Sequence, residues 1–551
     1  MSDSLLHGSA YYDAMNSRPL LAAVAAVLSA CGTPVTAPPP AQAAAADRAF
    51  DLVITHARIL DGTGNPWFRG HVAIQGGRIA AITRGAPPQA LRAINARDRI
   101  VAPGFIDVHT HVEQSIQDRP TADNYAQGGV TTVITGNCGG SDDDLADFFK
   151  KIDAGTSINV ASLIGHNTVR RQVMGMVNRP AQADEIERMK VLVQQGMQAG
   201  AVGFSSGLIY LPGMFSSTDE ISALAGVAAA HQGVYATHMR DESNRITQAI
   251  DETLDIGRRN RMPVQISHIK LSGNANWGRA ADIVQRIEAA RAGGLEVAVD
   301  QYPYTASSTQ LSVLLPDDVL DGGLPEARKK IADASTRATI VARMVANAKL
   351  RQRPSFAYAV VASYAAHSSL NGKSIAAINL QRGRAPTLEQ EAGTILELLA
   401  VGNAQMVFHG MDEADVRQFM RYPYNMVASD GSVQSGLGMP HPRSYGTHAR
   451  VLGRYVREEK LLSLEEAVRR MTSLPAQHFQ LKDRGLLKEG LAADIVIFDD
   501  KTVADRATFS DPHQFAAGIE GVIVNGQVVV EGGRHSGAKP GRALRGAGYR
   551  P

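Results

Sequence analysis

Between residues 105 and 431 the chain repeats one unit: a short apolar run that reads as a buried strand, a polar or metal-capable residue at its end, then helical sequence. The runs end as FIDVHTH (105–111), TTVITGNC (131–138), NVASLIGH (159–166), AVGFSS (201–206), VYATHMR (234–240), VQISHIK (264–270), VAVDQYPY (297–304) and NMVASDG (425–431). Buried strands alternating with helices predict a parallel sheet. Eight of them predict an α/β fold, a (β/α)8 TIM-type barrel over 101–484, whose chemistry sits at the C-terminal strand ends. QMVFHG (405–410) is a ninth run left without a place. Ser217 with Glu220, and Ser463 with Glu466, predict capping boxes that start two of the helices. A long excursion at about 312–400 interrupts the rhythm with charged, helical sequence. It reads equally as a lid over the barrel mouth or as a peripheral helical ornament.

The two ends of the chain differ from this middle. Residues 51–60 and 71–82 alternate apolar and polar, with Gly76-Gly77 as the turn. Residues 493–499 (ADIVIFD) and 521–533 match them, with Asn525-Gly526 as the hairpin turn. Neither group can bury a core alone, so a small β domain built from 50–100 and 485–545 is expected. The net charge of +2 gives no broad basic field, which argues against a nucleic-acid partner.

Residues 1–31 read as an address, a signal peptide ending at Cys31. Arg18 precedes the apolar stretch Pro19–Ala30, the layout of a secretory signal, and Met15 is an alternative start. Leu28-Ser29-Ala30-Cys31 resembles the lipobox of bacterial lipoproteins. The resemblance implies cleavage before Cys31, its lipidation, and a cell-envelope or periplasmic enzyme anchored to the membrane. An ordinary cleaved signal with an incidental cysteine is the alternative. Residues 32–49, rich in Pro and Ala, suit a tether. The chain has two cysteines; with Cys31 lipidated, Cys138 has no disulfide partner, and a metal accounts for a lone thiol.

The candidate site collects at the strand ends. His109 and His111 flank Thr110, and alternate residues of an extended chain share a face. Cys138, His238, His268 and Asp430 end four other strands. One thiol, four imidazoles and a carboxylate converging on one barrel end make a full ligand set for a divalent ion.

At these residues the chain resembles the amidohydrolase superfamily, in its D-aminoacylase (N-acyl-D-amino acid deacylase) branch. The most specific segments are GVTTVITGNCGGS, GFSSGLIYLPG, THMRDE, SHIKLSG, DQYPYTASST and HPRSYGTHARVLGRYVRE. Much of the superfamily uses a carboxylated lysine after the second strand; this branch has a cysteine there, here Cys138. The resemblance implies one tight zinc on Cys138, His238 and His268. It implies a second, weaker position on His109, His111, Cys138 and Asp430, with Asp430 as acid/base. Tyr210 and Arg443 would recognise the substrate carboxylate, with Lys270 lining the pocket. The implied reaction is hydrolysis of a small N-acyl-D-amino acid to a carboxylic acid and a free D-amino acid.

Two departures bear on the substrate: the stretch from Cys138 to His166 is compact, and the 312–400 excursion is long. Hydrolysis of D-aminoacyl dipeptides or of a cyclic amide is the nearest alternative. A non-catalytic lipoprotein binding module would need neither the ligand set nor Asp430. Cys138 as a nucleophile needs no place once a metal claims the thiolate. His441, beside Arg443, reads as a supporting residue, and His166, His409 and His448 as structural.

Overall fold

The computed structural model describes residues 49–551. Cys31, the signal and the tether before Ala49 lie outside the described residues. Strands from both chain ends share one nine-stranded sheet. Its order runs Arg534–His535, Gln527–Glu531, Ile519–Val524, Ile495–Phe498, Ile100–Pro103, Phe50–Ile59, Phe68–Gln75 and Arg78–Thr83, with Ala90–Asn95 also paired to Phe50–Ile59. The seam is the antiparallel pairing of Ile495–Phe498 with Ile100–Pro103. Asn525 and Gly526 both have positive φ, +47° and +80°, as a type I′ turn requires. A Cβ on Gly526 would stand 2.6 Å from Cα of Gly77, so the two glycine turns pack against each other.

A single residue, Gly104, separates Pro103 from the barrel. Its strands are β1 (Phe105–Asp107), β2 (Val130–Thr135), β3 (Asn159–Ser162, continued by Ile164–Gly165), β4 (Gly203–Gly207), β5 (Val234–His238), β6 (Val264–Ile266), β7 (Val297–Gln301) and β8 (Asn425–Val427). Every pairing between them is parallel. A parallel bridge between Thr110 and Gly431 closes the ring from β1 to β8. Ile106, Ile134, Ala161, Ala236, Ala298 and Ala428 fill the interior. Alternate residues share a face of a strand. The register that turns Ala236 and Ala298 inward therefore also turns His238 and Asp300 inward, one layer nearer the mouth.

Two local expectations are corrected. Ser217 and Ser463 do cap their helices, accepting from the amides of Glu220 and Glu466. The glutamates do not complete the boxes, because Glu220 holds His166 and Arg170 and Glu466 holds Arg469 and Arg470. The excursion after β7 is not purely helical. Ala306–Gln310, Gln405–His409 and Ala359–Ser363 form an antiparallel sheet with Gln405–His409 in the middle. The unplaced run QMVFHG is that central strand. Four helices, Gly323–Ala332, Ala334–Leu350, Ile375–Gln381 and Leu388–Val401, pack on the sheet around a core of their own that includes Ile331, Ile395, Leu399 and Met406.

Candidate metal centre

Except at β5, whose last residue is His238, the strand ladders stop short of the chemically distinctive residues. β1 ends at Asp107, two residues before His109, and β2 ends three residues before Cys138. Past the ladder the backbone is free to turn, and at three site residues it enters the left-handed region: φ is +52° at Cys138, +34° at His268 and +49° at Asp430. Non-glycine residues rarely adopt this conformation, and surrounding packing must impose it. At Cys138 the packing is visible. A Cβ on Gly139 would stand 2.0 Å from Asn167 Oδ1, and one on Gly207 would stand 2.0 Å from the Cys138 carbonyl oxygen. Two glycines thus let the loops after β2 and β4 press together and aim the thiol inward.

Cys138 Sγ is the hub. It lies 3.3 Å from His109 Nε2, 3.6 Å from His268 Nε2 and 3.7 Å from His238 Nδ1. Donor atoms sharing one tetrahedral zinc lie about 3.5 Å apart, from bond lengths of about 2.3 Å to sulfur and 2.0–2.1 Å to nitrogen. The spacing and the donor types both fit zinc. Burial pushes the Cys138 thiol well above its usual range; a bound cation would reverse that and deprotonate it. A free thiolate nucleophile has no such support here. Asp430 Oδ1 gathers a second group, 3.1 Å from His111 Nε2 and 3.7 Å from His109 Nε2. His109 stands between the two groups and touches both.

Acids behind the imidazoles fix their orientation, as metal-binding histidines require. His109 Nδ1 lies 3.3 Å from Asp300, which also accepts from the His268 amide at 2.9 Å. His268 Nδ1 lies 3.0 Å from Glu242 Oε1. Burial works against the Glu242 anion, but Lys270, His238 and His268 outweigh it and hold the carboxyl below its ordinary range. Glu242 and Asp300 were not among the residues singled out from the sequence. An acid inside the apolar run VAVDQ is the signal that marks Asp300, since a buried carboxylate needs partners.

The three residues expected at the substrate have different surroundings. Lys270 is 2% exposed and committed to the protein, with Nζ 2.5 Å from Glu242 and 2.7 Å from His268 Nδ1. Tyr210 accepts from Thr309 Oγ1 at 3.1 Å and meets the His238 ring edge-on. Arg443 lies 2.8 Å from Asp430 Oδ2 and 4.5 Å above the Tyr302 ring. Burial favours a neutral Asp430, yet Arg443, His109 and His111 hold its carboxyl well below the usual carboxylate range. His441 accepts from the Arg443 amide and reaches the Ala306 carbonyl, tying this corner to the insertion. His166 is buried with Glu220, and His448 stacks on Phe105.

Two cavities flank the cluster. The larger, about 620 Å³, is lined by His111, Cys138, Asp430 and Arg443, with Met176 and Leu437 among its other walls. The smaller, about 140 Å³, is lined by His238, His268, Lys270 and Tyr302. Tyr210, Thr309 and Asp430 border both, and Ser308 and Thr309 bring the insertion sheet into the wall of each.

Known proteins resemble the chain over most of its length. Residues 92–530 match the amidohydrolase family. An N-acyl-D-glutamate deacylase of Alcaligenes xylosoxydans xylosoxydans is 37% identical over 519 residues, 90% of this chain and 96% of that protein. A crystal structure of an N-acyl-D-glutamate deacylase from Bordetella bronchiseptica, complexed with zinc and a phosphonate mimic of the tetrahedral intermediate, is 35% identical. It matches with a TM-score of 0.78, over 90% of this chain and 100% of that one. A D-aminoacylase structure with a binuclear metal centre is 34% identical with a TM-score of 0.77, over the same shares. The chain belongs to the amidohydrolase family.

Proposed function

We propose that this enzyme hydrolyses the amide bond of N-acyl-D-amino acids with the help of zinc, releasing a carboxylic acid and a free D-amino acid. The observation that carries the reading is the hub itself: a buried thiol within 3.7 Å of three imidazole nitrogens, with Asp430 beside it and both cavities opening onto that carboxylate. Cys138, His238 and His268 would hold the ion, and His109, His111 and Asp430 a second one. When bound, zinc supplies Lewis acidity that polarises the amide carbonyl and acidifies a water.

The chain's own residues do the rest. Asp430, deprotonated and at the boundary of the cavities, takes the proton of the attacking water and returns it to the leaving amine. Arg443 already holds one carboxylate, that of Asp430. Its planar fork of donors suits the α-carboxylate of an amino acid as well, with Tyr210 at the same boundary. Glu242 and Asp300 keep the imidazoles aimed.

The test is a screen of zinc-loaded enzyme on N-acyl-D- and N-acyl-L-amino acids, D-dipeptides and hydantoins. Turnover of the N-acyl-D series, at least tenfold above the L series, is the expected result. Turnover confined to hydantoins or dipeptides would replace this reading.

We propose further that the enzyme is anchored in the cell envelope through lipid on Cys31, a reading supported by Leu28-Ser29-Ala30-Cys31 following an apolar stretch. Cys31→Ser should move the protein from the membrane fraction to the soluble one with activity intact. Equal membrane retention of the variant would remove the anchor.

A further inference from the structure

Residues 504–517, between the β-domain strands Ile495–Phe498 and Ile519–Val524, form a strap that reaches over to the barrel. Its ends meet in an antiparallel bridge between Ala504 and Ala517, as in a compact surface loop whose ends lie close together. Three side chains seat it on the segment that carries Arg443. Asp505 pairs with Arg450 at 2.8 Å, the Phe509 ring centre lies 5.0 Å from that of His441, and His513 Nδ1 lies 3.0 Å from the Tyr445 hydroxyl. The other ring nitrogen of His513, Nε2, lies 3.1 Å from the Gly438 carbonyl oxygen. A carbonyl only accepts, so Nε2 carries the proton, and in the neutral ring the Tyr445 hydroxyl donates to Nδ1.

Gly438 belongs to a loop on the rim of the larger cavity. The barrel holds the start of that loop: Ser115 Oγ accepts from the Val433 amide at 3.1 Å, and Asn124 Oδ1 from the Gln434 amide at 3.2 Å. At the far end a single peptide group is held from both sides. Its C=O, on Gly438, accepts from His513, and its N–H, on Met439, donates to the Ala362 carbonyl of the insertion at 2.7 Å. Ser435, Gly436 and Leu437 stand between the two anchors. Gly436 and Gly438 have φ of +77° and +76°, in the left-handed region that favours glycine. Leu437 between them is 77% exposed and lines the cavity. With pliant backbone on both sides, the orientation of the peptide from Gly438 to Met439 decides where Leu437 stands.

We infer that His513 is a positioning residue for substrate binding: it holds Leu437 at the mouth of the larger cavity, where the methyl groups cover a bound amide. The β domain thereby takes part in binding through the strap, although none of the metal-centre residues named above comes from it. The inference rests on the deacylase reading for its substrate and on the strap alone for its geometry.

The best N-acyl-D-amino acid of the screen above serves as substrate for zinc-loaded full-length enzyme. His513→Ala should raise KM about tenfold, the scale of one apolar side chain withdrawn from its partner, with kcat within about twofold of wild type. Leu437→Ala should raise KM likewise. The two together should cost little more than either alone, because residues that act through one contact are not additive. His513→Gln keeps a donor near the place of Nε2 and should bring KM back to within about threefold of wild type. His513→Asn keeps one near the place of Nδ1 and should behave as His513→Ala does. These two polar replacements also decide the matter if His513→Ala fails to fold. Limited proteolysis reads the loop without turnover: chymotrypsin should cut after Leu437 in His513→Asn at least about tenfold faster than in the wild type or His513→Gln.

KM effects that multiply in the double variant, or rescue by His513→Asn and not by His513→Gln, would overturn the assignment and leave the deacylase standing. Equal proteolysis of the three proteins would do the same. A wild type that turns over no N-acyl-D-amino acid would overturn the deacylase reading instead, and the proteolysis alone would then decide the role of His513.

Discussion

Asp430→Asn is expected to lower kcat by on the order of 100-fold or more while the protein keeps its zinc. Asparagine preserves the shape of the side chain and one acceptor oxygen, and it cannot take a proton near neutral pH. The donors around Cys138 do not include Asp430, so the zinc on Cys138, His238 and His268 should hold at the wild-type level, whereas an ion on His109, His111 and Asp430 should be weakened. The substitution has a second effect that must be measured beside the first. Asp430 Oδ2 is 2.8 Å from Arg443, which is 4% exposed. Losing the charge of one partner in a buried pair costs about 3–5 kcal/mol, so a lower Tm is expected in the same variant. The three readouts separate the roles. Full zinc with near-wild-type kcat would falsify Asp430 as the proton carrier. Zinc and activity lost together would make it a ligand first.

Cys138→Ser should have the larger effect on the metal: loss of tightly bound zinc and of detectable turnover. A serine hydroxyl stays protonated near neutral pH and offers zinc no anionic donor, whereas a thiol beside a cation ionises. The replacement puts no heavier demand on the backbone, since the side chains branch alike at Cβ and φ stays at +52°. Unchanged circular dichroism with no zinc by metal analysis is the expected pair of results. Full zinc in this variant would shift the site to Asp430 with His109 and His111, whose Nε2 atoms lie 3.7 and 3.1 Å from Asp430 Oδ1.

The barrel was legible in the sequence because a parallel strand buried on both faces leaves a continuous apolar run, and eight such runs stand between 105 and 431. The strand ends were not. The runs read on through His111, Cys138, His268 and Asp430, whereas the ladders stop at Asp107, Thr135, Ile266 and Val427. Nothing in a cysteine, histidine or aspartate announces a left-handed backbone; tertiary packing imposes it, as Gly139 and Gly207 do around Cys138. Glu242 was missed for a related reason. It stands in a charged loop where acids are ordinary, and only the fold brings it to His268 and Lys270. The insertion sheet escaped because its strands lie far apart: Gln405–His409 pairs with Ala306–Gln310 and Ala359–Ser363 across long helical stretches.

The seam between Ile100–Pro103 and Ile495–Phe498 sets an order of events on the ribosome. About 390 residues separate Pro103 from its partner Ile495, and at roughly 5–20 residues per second they take about 20–80 s to synthesise. All eight barrel strands have emerged by Val427, before any residue of the second half of the sheet. Through that interval Ile100, Val101 and Ala102, all fully buried in the finished protein, stand along an unpaired edge of the kind that recruits other chains. The nascent barrel therefore carries an open apolar edge at the root of its first strand until Ile495–Phe498 has been made.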